Sequence, residues 1–190
     1  MPEKHRAHIA KSSQNNEWET PPELFLGLDE AYGPFTLDAA AAKGQFTAEL
    51  ILSRGGRILT QPPPGVERGS VDPERPCVMY DAFEHPWIGK VFLNPPYGPV
   101  AILTEFMRKA VQEVEYHNAE IVVALLPVRT GTRWWQEFIC KTATFRALGE
   151  AHNPMLEVVR FLPGRLTFAL HGEKKANAPY SSAVVVWRRP

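Results

Sequence analysis

Val91-Phe92-Leu93-Asn94-Pro95-Pro96-Tyr97-Gly98 is the stretch on which the reading of this chain turns. The apolar triplet predicts a short buried strand, and the two prolines end it, because proline brings no ladder N–H. From Pro99 onward, apolar residues fall at Leu103, Phe106, Met107, Ala110, Val111 and Val114, the spacing of a helix with one buried face. Strand, turn and helix in that order make one unit of an α/β fold. The turn lies at the carboxyl end of its strand, where open α/β sheets hold ligands.

The turn also carries chemistry. Asn94 supplies a neutral acceptor, and the prolines fix φ and contribute no N–H to occupy the neighbouring carbonyls. An exocyclic amine placed there donates one hydrogen to the Asn94 oxygen and one to the Pro95 carbonyl. Its lone pair is then localised on nitrogen and directed away from the aromatic ring, towards an electrophile. Pro96 completes the stiff turn, and Tyr97 offers a flat face for the ring that bears the amine. Asn94, Pro95, Pro96 and Tyr97 are therefore the candidate catalytic residues for amine methylation. The bland alternative is a rigid loop with no chemistry.

On either side of this unit the same alternation continues. Thr20-Pro21-Pro22-Glu23 predicts a helix start, with Thr20 as N-cap, Pro at the first position and Glu23 closing a capping box. Leu24, Phe25, Leu28 and Ala31 follow on one face, and Gly33-Pro34 stops the helix. Short strands are expected at Phe35-Thr36-Leu37, ending at Asp38, and at Cys77-Val78-Met79-Tyr80, ending at Asp81. The run at 121–126 is continuously apolar and β-branched, as in a strand buried on both faces of a parallel sheet. A helix over about 132–141 and strands at 157–162, 166–170 and 183–187 complete the pattern. The expected fold is a three-layer α/β sandwich whose mostly parallel sheet is closed by antiparallel C-terminal strands. Residues 1–16 read as a flexible lead-in, residues 17–190 as one domain, and 53–76, dense in Gly, Pro and Arg, as an irregular insertion.

A chain of 190 residues is long enough for one well-cored domain. It contains no apolar run of about 18 residues, so no membrane-spanning helix is expected. The N-terminus lacks the apolar core of a signal peptide, and Cys77 and Cys140 show no metal spacing; reduced thiols in a cytoplasmic protein, and no metal, are the expectation. The net charge is zero but unevenly spread. Residues 129–190 carry ten basic and four acidic groups, against eleven and seventeen in residues 1–128. A basic C-terminal face suits a phosphate backbone, although ordinary solvated arginines give the same count.

Three predicted strand ends, at Asp38, Asp81 and Asn94, would meet a cofactor lying across the sheet edge. Taken singly, each aspartate reads better as a turn residue or helix cap; the two together, each ending a predicted strand upstream of the turn, favour the functional reading.

Trp18-Glu19-Thr20-Pro21, Thr36-Leu37-Asp38-Ala39-Ala40, Asp81, Asn94-Pro95-Pro96-Tyr97, the LLPVRT segment at 125–130, PGRLTF at 163–168 and APYSS at 178–182 occur in one order. In that order they resemble the phage-type, Dam-like DNA N6-adenine methyltransferases over residues 17–187. The resemblance implies a class I methyltransferase fold, Rossmann-like, that uses S-adenosylmethionine. It also implies Trp18, Thr20 and Pro21 near the methionine end of that cofactor, Asp38 beside it, and Ala39 and Ala40 giving close backbone approach. Asp81 would accept from the cofactor's adenine amine or ribose hydroxyl, with Phe83 packed on that adenine. One departure stands out: the loop after Asp38 is AAAAKGQF, where such enzymes usually place several glycines.

The implied partner is double-stranded DNA, and the implied role is protection of phage DNA in restriction–modification. An adenine inside a duplex is out of reach, so it must flip out and stack on Tyr97. Arg129 and Arg133 are candidates for phosphate or guanine contacts, Trp134 for the wall of the base pocket, and Arg165 for a further DNA contact. For Trp134 and Trp135 the buried face of a helix is the competing reading and the favoured one. An amine in RNA, a protein glutamine, or a non-catalytic nucleic-acid-binding module are the competing readings.

Overall fold

The computed structural model describes residues 19–42, 44–140, 156–170 and 173–188. Trp18 and the lead-in at 1–16 lie outside the described residues. The elements are α1 (Pro22–Tyr32), β1 (Leu37–Asp38), α2 (Phe46–Ser53), β2 (Arg57–Thr60), β3 (Val78–Tyr80), β4 (Gly89–Leu93), α3 (Val100–Glu115) and β5 (Ala119–Pro127). They continue with α4 (Arg133–Trp135), which runs into a π-turn at Gln136–Cys140, and with β6 (Leu156–Phe161), β7 (Thr167–Leu170), β8 (Glu173–Asn177) and β9 (Ser182–Arg188).

Seven strands form one sheet in the order β3-β2-β1-β4-β5-β9-β6. β1 to β5 pair in parallel, whereas β9 runs antiparallel to both β5 and β6. The expected alternation and antiparallel closure are both present, with two refinements. Only β9 reverses direction in the main sheet, and β7 pairs with β8, for which no strand was expected, as a separate antiparallel hairpin.

The segment 53–76 is corrected in part. Its residues Arg57–Thr60 form β2, hydrogen-bonded in parallel to β1 on one side and β3 on the other. The rest folds back along β3: Val71 bridges Met79, and Asp72 N–H donates to the Val78 carbonyl at 2.9 Å. An otherwise open sheet edge is thereby covered.

β5 shows why this sheet has two cores. Val122, Ala124 and Leu126 point to one face, and Ile121, Val123 and Leu125 to the other, as strand alternation requires. The first set packs with Leu103, Phe106, Met107, Ala110 and Val114 of α3 and with Trp134 and Trp135. The second packs with Phe25 and Leu28 of α1, Ile51 of α2 and Phe168 of β7. α3 carries one buried acid, Glu113, which accepts from the Trp87 backbone N–H at 3.0 Å and pairs with Lys109 at 2.5 Å. Among the described residues no helix is long and apolar enough to cross a membrane.

Candidate active site

Because β1 to β4 are parallel, their carboxyl ends share one edge of the sheet. A cavity of about 440 Å³ opens there, within the range of small-molecule sites. Ala39, Ala40, Ala41, Ala42 and Gln45 line it after β1, and Leu59, Thr60 and Gln61 at the end of β2. Ala82 follows β3; Asn94, Pro96 and Gly98 belong to the turn after β4; Ile102 and Phe106 project from α3. One cavity thus joins the alanine loop to the Asn-Pro-Pro-Tyr turn.

The capping box predicted at Thr20 is not formed. α1 begins at Pro22, Pro21 occupies the cap position without a side-chain bond, and the Pro21 carbonyl accepts from Phe25 N–H at 3.0 Å. Thr20 is instead buried, and its Oγ1 accepts a hydrogen bond from Asn94 Nδ2 at 3.1 Å. With its nitrogen edge held this way, the Asn94 amide presents its oxygen on the opposite edge.

Asp38 does not face the cavity. Leu37 and Ala39 point to the α3 side of the sheet, so Asp38 between them points to the other, against α2. Its carboxylate accepts from Ala40 N–H at 3.1 Å and from Thr47 Oγ1 at 2.9 Å. Burial raises its pKa from 3.8 to about 6, against the downward pull of those two bonds. Asp38 therefore shapes the alanine loop from behind. Ala41 N–H, bonded to the Leu59 carbonyl at 2.9 Å, ties the same loop to β2.

Asp81 is not among the residues that line the cavity. It holds a left-handed backbone with φ of 74°, accepts from Phe83 N–H at 3.0 Å and forms an ion pair with Arg68. Phe83 packs on Phe106 with ring centroids 4.8 Å apart, and of the two only Phe106 lines the cavity. The residue following β2 is Gln61, not an acid. Gln45, Thr60, Gln61, Ala82, Ile102 and Phe106 were not picked out from the sequence. The first three escaped because α2 and β2 did, whereas Ala82 follows a strand that was expected; the spacing of α3 did signal a buried face at Phe106.

Tyr97 is half-buried on the opposite side of the sheet edge. Its hydroxyl donates to the Leu125 carbonyl at 3.4 Å, and its ring meets Phe168 edge-on at 6.1 Å. Burial pushes its phenol well above the usual tyrosine range, opposed by the nearby Ser182 hydroxyl, which itself makes no hydrogen bond of sound geometry among the described residues.

Trp134 is corrected. It is 1% exposed, packed against Trp135 in the core beneath α3, and closed to a substrate base. The arginines stay at the surface. Arg133 is 95% exposed and lies 3.8 Å from Glu137. Arg165 is exposed in the turn between β6 and β7, and half-buried Arg129 stacks over Tyr180. β6 runs in the direction of β5, so all of these arginines stand at the edge that carries Asn94.

A family model described as DNA N-6-adenine-methyltransferase (Dam) matches residues 77–190, from the start of β3 through β9 and including Asn94. The chain belongs to this family. A DNA N-6-adenine-methyltransferase of Escherichia phage T1 is 29% identical over 123 residues, 63% of this chain. The match spans 39% of that relative's length. Among solved structures, a candidate RNA methyltransferase of Pyrococcus horikoshii superposes with a TM-score of 0.54 at 12% identity, covering 100% of this chain and 97% of its own. The 23S rRNA methyltransferase ErmE gives a TM-score of 0.53 at 14% identity, with 91% and 70% covered. The family's fold here is the class I methyltransferase fold. The cavity suits an adenosyl sulfonium cofactor in its chemistry: alanines keep the loop backbone accessible, Phe106, Ile102 and Leu59 are apolar, and carboxamides and a hydroxyl can meet sugar and amine groups.

Proposed function

We propose that the protein transfers a methyl group from S-adenosylmethionine to the N6 amine of an adenine flipped out of double-stranded DNA. The observation that carries this reading is Asn94, held by Thr20 at the wall of a cavity that also contains the alanine loop. Family membership supports the choice of DNA and adenine.

The bound cofactor supplies an electrophilic methyl carbon. The protein supplies position and charge matching. The Asn94 oxygen and the Pro95 carbonyl accept the two hydrogens of the amine and draw off the positive charge that grows on nitrogen during transfer. Thr20 fixes which edge of the amide faces the amine. The cofactor would give up its methyl group to the amine nitrogen and leave as the neutral thioether, and the proton that the nitrogen sheds would pass to solvent. Ala39 to Ala42, Gln45, Thr60, Gln61 and Phe106 hold the cofactor, and Tyr97 stands on the substrate side of the turn. Holding amine and methyl in line accounts for much of the acceleration.

The test is transfer of label from methyl-labelled cofactor to duplex DNA, RNA and protein in parallel, with nucleoside digestion of the DNA. Label in N6-methyladenine of DNA is expected, and Asn94→Ala should abolish it with cofactor affinity retained. Label confined to RNA or protein overturns the reading.

A further inference from the structure

Arg129 follows the end of β5, and Tyr180 precedes β9, the strand that pairs with β5. Val128 N–H donates to the Ser181 carbonyl at 2.7 Å, which clips the two loops together. The Arg129 guanidinium then lies over the Tyr180 ring, 5.0 Å from its centroid. Tyr180 is nevertheless 42% exposed, and among the described residues no carboxylate pairs with Arg129. A cation with no counter-ion among the described residues, stacked on an aromatic ring open to solvent, fits a ligand that is both flat and anionic.

The position narrows the ligand. Leu93 is in register with Ala124, so Asn94 lies level with Leu125, and Arg129 stands four residues further along one strand over. That places the pair on the order of 10–14 Å from Asn94, a few base steps along a nucleic-acid strand. Exposed Arg133 and Arg165 share the edge and add positive charge. We infer that Arg129 and Tyr180 form a docking platform for a nucleotide neighbouring the target adenine, with Tyr180 stacking its base and Arg129 meeting its phosphate. The inference rests on the DNA-methylation reading above and adds a specific grip on the strand. Removing the stacking partner of a base typically weakens binding by about tenfold or more.

Tyr180→Ala, Tyr180→Phe, Arg129→Ala and Arg129→Lys, assayed with unmethylated plasmid DNA and a salt series, test it. Tyr180→Ala should raise the KM for DNA about tenfold with cofactor affinity and melting temperature unchanged, and Tyr180→Phe should stay near wild type. Arg129→Ala should lower the slope of log affinity against log salt by about one. Arg129→Lys should keep the slope but lose affinity, because a compact ammonium cannot stack. A wild-type KM in Tyr180→Ala, wild-type affinity in Arg129→Lys, or a parallel loss of melting temperature and cofactor binding overturns the platform. Failure of the wild-type protein to label DNA at all overturns the underlying reading instead, so the two failures are separable.

Discussion

Thr20 and Asn94 lie 74 positions apart, and the side-chain nitrogen of Asn94 donates to the hydroxyl of Thr20 at 3.1 Å. A primary amide has one donor edge and one acceptor edge. Engaging the donor edge with a buried hydroxyl decides which way round the amide sits. Thr20 thus orients the Asn94 amide, and with it the acceptor that the proposed reaction would use.

Thr20→Val removes that anchor at nearly constant volume and leaves the Asn94 nitrogen facing a methyl group. A lost bond of this kind costs about 1–3 kcal/mol, so kcat is expected to fall about tenfold to a hundredfold. Cofactor affinity should move much less, and Thr20→Ser should recover most of the rate. Wild-type kcat in Thr20→Val would mean that the amide is oriented by other contacts.

The sequence already showed β1, β3, β4, α3 and β5, because each carries a run or a period set by its own burial. It did not show β2. Arg57-Ile58-Leu59-Thr60 is only four residues long, follows two glycines and precedes three prolines, and is held by parallel partners on both sides. Losing β2 meant losing Thr60 and Gln61 at its end. At Thr20 and Asp38 the local signal was present but tertiary geometry changed its use. A capping threonine was claimed by a distant amide, and a strand-end acid was turned to the far face by alternation from Leu37. Arg68, the partner that occupies Asp81, carries no signal in the sequence at all.

Ala40 tests the cavity. Ala40 lines the wall that follows β1, and a larger side chain there is expected to take up space assigned to the cofactor. Ala40→Leu is expected to weaken S-adenosylmethionine binding at least about tenfold, the loss of roughly 1.4 kcal/mol or more. Melting of the cofactor-free protein should change little. Unaltered affinity, measured by calorimetry, places the cofactor elsewhere.

Trp134 separates core from interface. It is 1% exposed, and its indole N–H finds no partner among the described residues. Trp134→Ala should destabilise the fold by about 3–5 kcal/mol, whereas Trp134→Phe, which removes the unpaired donor, should cost distinctly less. DNA affinity per folded molecule should be the same in wild type and Trp134→Phe. A selective loss of DNA binding in Trp134→Phe, with melting unchanged, would return this residue to the interface.

Asp38 makes stability depend on pH in the direction opposite to most carboxylates. Its carboxyl is raised from 3.8 to about 6, first by burial, with the bonds from Ala40 and Thr47 opposing. The folded protein therefore holds this proton more tightly than the unfolded chain does. Its contribution is most favourable below 3.8, declines as pH rises towards about 6, and is lost above that. The full span is on the order of 3 kcal/mol. Asp38→Asn removes the buried charge yet keeps an oxygen for Ala40 N–H and an NH2 for the Thr47 oxygen. Relative to wild type, the variant should gain stability at about pH 8 and lose that advantage by about pH 4. Chemical denaturation of both proteins across this range gives the difference directly, since other titrating groups are common to both. A difference that does not change with pH would mean that Asp38 carries no abnormal proton, and the account of how it supports the alanine loop would have to rest on its hydrogen bonds alone.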